Sequence, residues 1–403
     1  MKIMLVEPLH EGHHMNFLRF AIRELSSSRY HLSLITRRSV VTSPGYQLVK
    51  KEMSKNVKTY FIPELKKNYS LTSLSILRRQ FKEWFILKYK FLKLIKTNKP
   101  DIIYVPDLEW IAKAVEIFGS PFGKVPFVAL YMSPKFHRKT MGLGHPSRYD
   151  WIYSILFKRL LKISSLQNLI VMDKFFYKFT KKRYKNLFYK IKFAPDFASN
   201  KKKFLKKNSR LNLGIPISSK VILVYGALDL KKGIQELLLS LSNKDVPNNL
   251  VILLAGQPSK EILKLMKNKE IKKFVKTKKI ITFFKYHNLI EEQKIFEATD
   301  VVWLGYTQGF LGSSGVMYQA IHFDLPVIGQ NKGIIGHYIK QYKLGIAIQP
   351  NETKKVVKAI SDLFNNINFY GKNNPNRKYL KNYHSPDIHF KIIMECISNF
   401  KNH

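Results

Sequence analysis

The 403-residue sequence predicts an α/β protein built from two parallel sheets, each covered by helices. Short β-branched or apolar runs alternate with amphipathic stretches from one end of the chain to the other. The alternation stops once, in a lysine-rich stretch near the middle, and then resumes. Length agrees, because a chain of this size suits two domains that each bury a core, and the 45% hydrophobic content is that of a globular protein.

In the first half the strands are "KIMLVE", "HLSLITR", "VKTYFIP", "DIIYVP", "PFVALYM", "NLIVMD" and "KIKFAPD". Helical periodicity fills the intervals at 16–25, 74–96, 108–118, 149–163 and 174–184. "FASNKKKFLKKNSRLNLGIPISSK" has no sustained apolar face and reads as a connector. Strands then resume at "KVILVYGAL", "NLVILLAG", "KIITFFKY", "DVVWLGY", "LPVIGQ" and "LGIAIQP", with helices opening near Lys231, Ser259, Ile290, Ser314, Gly333 and Glu352. The expected organisation is a first domain over 1–196, a basic linker over 197–219, a second domain over 220–369 and a tail over 370–403. That tail begins as a loop and ends in an amphipathic helix near 388–400, expected to pack back toward the first domain.

Composition restricts the function classes. One cysteine, Cys396, excludes an internal disulfide and a multi-cysteine zinc site, so a reducing cytoplasm is the default location. The apolar start of "MKIMLVEPLHEG" is too short for a signal-peptide core, and no run reaches the roughly 18 apolar residues of a membrane span. Seventy Lys and Arg against 27 Asp and Glu give a net charge of +43. Such a field attracts polyanions, whether nucleic acid, anionic headgroups or phosphorylated substrates. Compositional drift in a chain rich in Lys, Asn, Ile, Phe and Tyr is the alternative explanation.

In doubly wound sheets, ligands bind at the carboxyl ends of strands, where loops lead into helix amino termini. Four such loops stand out. In "EPLHEGHHMNF", Gly12 lets the backbone approach an anion, and His13 or His14 is placed to donate to it or to act as acid or base; the same histidines also suit a plain helix cap. In "YGALDLKKGIQELL", a strand ends at Gly226 and Lys232 follows as a mobile cation for a phosphate. In "FFKYHNLIEEQ", Lys285, Tyr286 and His287 are placed to flank a base or sugar. In "QGFLGSSGVMYQAIHFDLPVIG", Gly312, Ser313, Ser314 and Gly315 offer hydroxyls and N–H groups to a phosphate oxygen just before a helix that starts near Val316. Either serine would serve equally well as a helix cap.

Taken in order, these features resemble the family 4 glycosyltransferases, retaining nucleotide-sugar enzymes of the GT-B fold with two Rossmann-like domains facing across a cleft. The specific part lies in "GALDLKKGIQELL", "VILLAGQP" and "EATDVVWLGYTQGFLGSSGVMYQAIHFDLPVIGQNKGIIGHYI", and the Gly-His-His opening is similar to a subgroup. The resemblance implies that Lys232 pairs with the donor diphosphate, that Gly226 makes room for it, and that Gly312 to Val316 hold it with backbone N–H groups. It also implies that Lys285 to His287 lie beside the base, and that Gly12 lets the first loop approach donor and acceptor. The family often carries a pair of glutamates that fall here on Leu311 and Gln319; Gln319 retains hydrogen-bonding capacity for ribose hydroxyls.

The activity implied is transfer of a sugar, with retention, from a UDP- or GDP-type donor to a saccharide or lipid-linked saccharide acceptor in cell-surface glycan synthesis. The resemblance implies that no metal or other cofactor is required, and the sequence agrees, having no Asp-x-Asp motif. His13, His14 and Asp107 are the candidates for acting on the acceptor hydroxyl, with Glu109 and His137 nearby in kind, although Asp107 also suits a loop cap. "LRRQFKEWFILKYKFLKLIK" interleaves cations with apolar residues, so it either packs on the sheet or lies on the inner face of an anionic membrane. No specific nucleic acid is expected. The competing readings are a non-catalytic polyanion- or membrane-binding protein that keeps this fold, and a sugar-nucleotide epimerase.

Overall fold

The structure, a computed structural model, describes residues 1–10, 14–27, 30–53, 57–65, 73–132, 134–144, 147–198, 204–307 and 309–399. The candidates Gly12 and His13 lie outside the described residues. The chain divides into two compact units: Met1–Pro195 with Pro386–His403, and Asp196–Ser385.

The first unit holds β1 (Lys2–Val6), β2 (His31–Thr36), β3 (Lys58–Phe61), β4 (Ile102–Val105), β5 (Phe127–Tyr131), β6 (Leu166–Val171) and β7 (Ile191–Phe193). All pairings are parallel, in the order β3-β2-β1-β4-β5-β6-β7. The second unit holds β8 (Lys220–Tyr225), β9 (Leu250–Ala255), β10 (Ile280–Phe283), β11 (Val301–Leu304), β12 (Val327–Gln330) and β13 (Gly345–Ile348). Its order is β10-β9-β8-β11-β12-β13, again parallel throughout. In both sheets the strand order reverses beside the first strand, between β1 and β4 and between β8 and β11. Those reversals open the crevices in which doubly wound sheets take their ligands.

The strands read as continuous apolar runs because both faces are covered. β4, β5, β9 and β11 are buried along their whole lengths. The helix Ser73–Leu94 shows why its sequence supported two readings. Trp84, Leu87, Phe91 and Leu94 enter the core, while Phe85, Tyr89 and Leu92 are exposed. Among the described residues, no helix is long and apolar enough to cross a membrane.

Four local expectations are corrected. The stretch read as a connector contains the helix Lys206–Asn212, which is held by polar anchors: the buried Arg210 pairs with Asp300 at 2.7 Å and donates to the Ala298 carbonyl at 3.0 Å, and Lys206 pairs with the same Asp300. The loop-like start of the tail contains the helix Asn376–Tyr383. There the buried Arg377 donates to the carbonyls of Ala320, Leu325 and Tyr370, capping chain ends that a hydropathy pattern does not register. The helix expected near Lys231 is a short 3-10 turn, Leu230–Lys232, followed at Gly233 by left-handed backbone and then the helix Ile234–Leu239. A side chain at Gly233 would strike the Gly305 carbonyl, its Cβ only 2.3 Å away, so the two loops touch backbone to backbone. The helix expected over 108–118 begins only at Ala112, because Asp107 holds the Glu109 N–H at 2.7 Å in a turn.

The last helix, Pro386–Ser398, belongs to the first unit. Phe390 stacks on Phe20 at 5.7 Å, and His389, fully buried, donates through Nδ1 to the Pro195 carbonyl at 2.8 Å. A carbonyl only accepts, so Nδ1 carries the proton.

Candidate functional site

In the second unit the loops after β8 and β11 meet at the strand-order reversal. Gly226 ends β8 with φ +91° and places its backbone where a Cβ would lie 3.5 Å from Lys232 Nζ. Lys232 is half-buried, and its ammonium donates to the Tyr225 carbonyl. Burial lowers its pKa to about 8, against the opposing pull of Asp229. The Lys232 carbonyl accepts from the indole N–H of the buried Trp303 at 2.6 Å, and Thr307 N–H donates to the Lys231 carbonyl at 2.7 Å. The backbone that carries this lysine is therefore tied to β11 and to the turn that follows it.

Tyr306 connects Lys232 to the glycine-serine loop. Lys232 Nζ lies 5.9 Å from the Tyr306 ring centroid, and the Tyr306 hydroxyl is 3.1 Å from Ser314 Oγ. Phe310 stacks on the same ring at 4.2 Å. Ser314 is buried at the N-cap position of the helix Gly315–His322, yet its side chain makes no capping hydrogen bond; it turns to Tyr306 instead. The amino-terminal N–H groups of that helix, from exposed Gly315 and half-buried Val316, are thus not capped by Ser314. The loop is fixed from below, where Ile334 N–H donates to the Leu311 carbonyl at 3.1 Å and Gln330 to the Phe310 carbonyl at 2.6 Å. Lys232, Gly226, Ser314 and Gly315 are brought together around one aromatic ring. Gly312 and Ser313 are half-buried in the same loop.

A polar cluster lies beside it. Gln319 donates through Nε2 to Glu292 Oε1 at 2.9 Å, and Tyr225 donates its hydroxyl to Glu292 Oε2 at 2.8 Å. The Gln319 Oε1 is buried with no hydrogen-bond partner among the described residues. Burial together with the Glu292 carboxylate pushes the Tyr225 phenol well above its usual range. Lys285 pairs with Glu291 at 2.6 Å at the start of the next helix, and Tyr286 is exposed. His287 is buried against Tyr225, ring centroids 6.0 Å apart, and its pKa is lowered by burial.

The first unit has its own cluster at the carboxyl ends of β1 and β4. His14 Nδ1 lies 3.1 Å from Glu7 Oε2, and His14 Nε2 lies 3.6 Å from Asp107 Oδ2. All three residues are buried. Asp107 is pushed up to about 7 by burial and by the neighbouring Glu109 carboxylate, while His14 pulls the other way. Such an acid changes charge near neutral pH, as a proton acceptor in this setting requires. Glu109 is half-buried. His137 is fully buried beside Asp173 at 3.1 Å, away from this pair.

Sequence reasoning passed over Glu7, Glu292 and Tyr306. Glu7 carried a usable signal, since it immediately follows β1 at the position where ligands are met. Glu292 and Tyr306 looked like ordinary helix and strand-end residues, and only the fold turns them inward.

Residues 206–383 match the family described as Glycosyl transferases group 1. This stretch is similar to glycosyl transferases group 1 domains. It contains Gly226, Lys232, Glu292, Tyr306, Ser314 and Gln319. Among solved structures, sucrose-phosphate synthase from Thermosynechococcus elongatus is similar at 14% identity, covering 100% of both chains with a TM-score of 0.70. The Anabaena protein Alr3699/HepE, in complex with UDP and glucose, is similar at 14% identity over 99% of this chain and 100% of its own, TM-score 0.68. WaaG, a glycosyltransferase involved in lipopolysaccharide biosynthesis, is similar at 13% identity over 96% and 98%, TM-score 0.62. No curated protein sequence matches the chain significantly. Together with the two parallel sheets, these likenesses establish the GT-B fold around the matched stretch.

Proposed function

We propose that the protein transfers a sugar, with retention and without a metal, from a UDP- or GDP-type nucleotide sugar to a glycan or lipid-linked acceptor in cell-surface polysaccharide or glycolipid synthesis. The observation that carries this reading is the union of Lys232, Gly226 and the Ser314–Gly315 helix start around Tyr306. A diphosphate seated there meets a cation, a hydroxyl and backbone N–H groups fixed before reaction. Because the leaving diphosphate gains negative charge as the glycosidic bond breaks, donors already in place act where that charge develops. The similar Anabaena protein has been seen with UDP and with UDP-glucose, which supports a uridine nucleotide as the first donor to try.

Glu292 and Gln319 fit the ribose, one offering carboxylate oxygens and the other a buried amide oxygen. Lys285 and Tyr286 border the base, and Gly312 and Ser313 complete the phosphate loop. A carboxylate is thus kept next to Gln319, which favours a working donor site over a fold that has lost turnover. In the first unit, His14 and Asp107, backed by Glu7, are assigned to the acceptor hydroxyl proton. Gly12 and His13 are proposed to complete that loop. A peripheral position on the inner face of an anionic membrane follows from the cations and exposed aromatics of the helix Ser73–Leu94. The test is a thermal-shift panel of UDP, GDP and their sugars. A rise in melting temperature with one nucleotide series that Lys232→Ala removes supports the assignment, and no shift with any of them refutes it.

A further inference from the structure

The first unit contains a cavity of about 600 Å³ between the helices Ser73–Leu94, Ala112–Phe118 and Asp150–Leu161, with the end of β5 as its floor. That is the size of a small-molecule site. Its walls are Leu77, Ile117, Tyr131, Phe136, Ile152 and Leu156. The polar side chains that reach it are engaged with one another. Gln80 donates to the Glu109 carbonyl at 2.9 Å and accepts from Lys113 N–H at 2.8 Å, and Lys113 pairs with Glu116 at 2.7 Å. A ligand entering here finds mainly apolar surface.

We propose that this cavity holds the aliphatic chain of an anionic amphiphile, the acceptor for sugar transfer; the inference deepens the functional reading above and rests on it. Three observations select this occupant. The apolar lining continues outward through Leu74 and Ile76, which are 57% and 46% exposed, so a chain can run from the interior to the surface without crossing a polar barrier. Two cations stand near the lining for an anionic head to meet. Lys135 is exposed at the lining, and three residues on, Arg138 has a buried Nε with no hydrogen-bond partner among the described residues. Arg138 also feels the Asp173, Asp150 and Glu109 carboxylates, so an anionic head competes with these three for the guanidinium. The location fits an acceptor: Glu109 lines the cavity, and its N–H donates to Asp107 at 2.7 Å. A chain seated in the cavity places its head one hydrogen bond from the Asp107–His14 pair.

The test is calorimetric titration of the full chain with octyl, decyl and dodecyl phosphate below their micellar concentrations, with dodecyl maltoside and inorganic phosphate as the neutral-head and chainless arms. The proposal predicts one-to-one binding that tightens about fourfold per added methylene, from the roughly 0.8 kcal/mol each buried CH₂ contributes. It predicts weaker binding of the maltoside and none of inorganic phosphate. Leu156→Trp, which fills the cavity, and Ile152→Glu, which charges its wall, are each expected to weaken dodecyl phosphate at least tenfold while leaving UDP affinity unchanged. Affinity independent of chain length overturns the proposal, as does undiminished binding in both variants. The chain-length series uses the unaltered protein, so it decides the matter even if a variant does not fold. UDP binding without amphiphile binding refutes the cavity alone; amphiphile binding without any nucleotide binding refutes the donor reading alone.

Discussion

Replacing Lys232 with methionine removes the cation while keeping most of its apolar stem. Three features set the size of the effect. The ammonium sits against the Tyr225 carbonyl, 5.9 Å from the Tyr306 ring, and its pKa is about 8 because burial disfavours the charged form. A charge-assisted hydrogen bond to a phosphate contributes about 1.5–3 kcal/mol, so Lys232→Met should weaken UDP binding roughly ten- to a hundredfold. Acidity adds a sharper signature. Bound diphosphate favours the protonated amine, whereas the free site loses its proton as pH rises through about 8. UDP affinity is therefore expected to be nearly flat from pH 7 to 8 and then to fall by the same ten- to hundredfold in all, with roughly half a proton or more taken up on binding at pH 9. The terminal phosphate is already ionised there, its own pKa being near 6. Calorimetry in two buffers of different ionisation enthalpy reads both the affinity and the proton count. Lys232→Arg, charged throughout, should flatten the profile. Unchanged affinity in Lys232→Met, or a wild-type profile with no proton uptake up to pH 9.5, refutes the assignment of this lysine to the diphosphate.

Asp107→Asn is expected to reduce turnover at least a hundredfold with UDP affinity unchanged, and wild-type kcat should rise with pH through about 7 as this carboxyl ionises; steady-state rates across pH check both. The same group bears on stability: its folded pKa lies above the unfolded value of 3.8, so its stabilising contribution is lost as pH rises through about 7, and Asn should raise the melting temperature at pH 8. His389 has the opposite sign. Its folded pKa is depressed from 6.5 to about 4 by burial, so stability present above 6.5 is lost as pH falls toward 4, by about 3 kcal/mol, and denaturant titrations of His389→Phe should lack that acid limb. Glu292→Gln should weaken UDP about tenfold and leave inorganic pyrophosphate unaffected in competition titrations, since its partners Tyr225 and Gln319 face the ribose rather than the phosphates in this account.

The legible part of the fold was the part governed by hydropathy period. Buried parallel strands such as "NLVILLAG" and "DVVWLG" are apolar on both faces and declare themselves. Helices held by long-range polar bonds do not. Arg210 with Asp300, and Arg377 with the carbonyls around it, fix Lys206–Asn212 and Asn376–Tyr383 through long-range bonds that leave no local pattern. The site divides the same way. Gly226, Lys232 and the "GSSG" loop were readable because turn chemistry at strand ends is local. That Ser314 turns to Tyr306 rather than capping its own helix is decided by a strand-end residue eight positions earlier. Glu7 beside His14 follows from how the end of β1 packs on the next helix, and Glu292 beside Gln319 from packing between helices 27 residues apart in sequence. A charge on a helix surface and a charge turned into a site look identical in one dimension.

The most direct test is a product analysis: incubate the protein with a panel of UDP- and GDP-sugars, with and without dodecanoyl glycerol phosphate, an anionic amphiphile that carries a free hydroxyl, as acceptor, and follow nucleotide release and sugar attachment by mass spectrometry. The account predicts release of one nucleoside diphosphate, transfer of its sugar to the amphiphile, and loss of both in Lys232→Ala. Binding of the amphiphile with no release from any donor, or conversion of a free nucleotide sugar to an isomer without transfer, would contradict it.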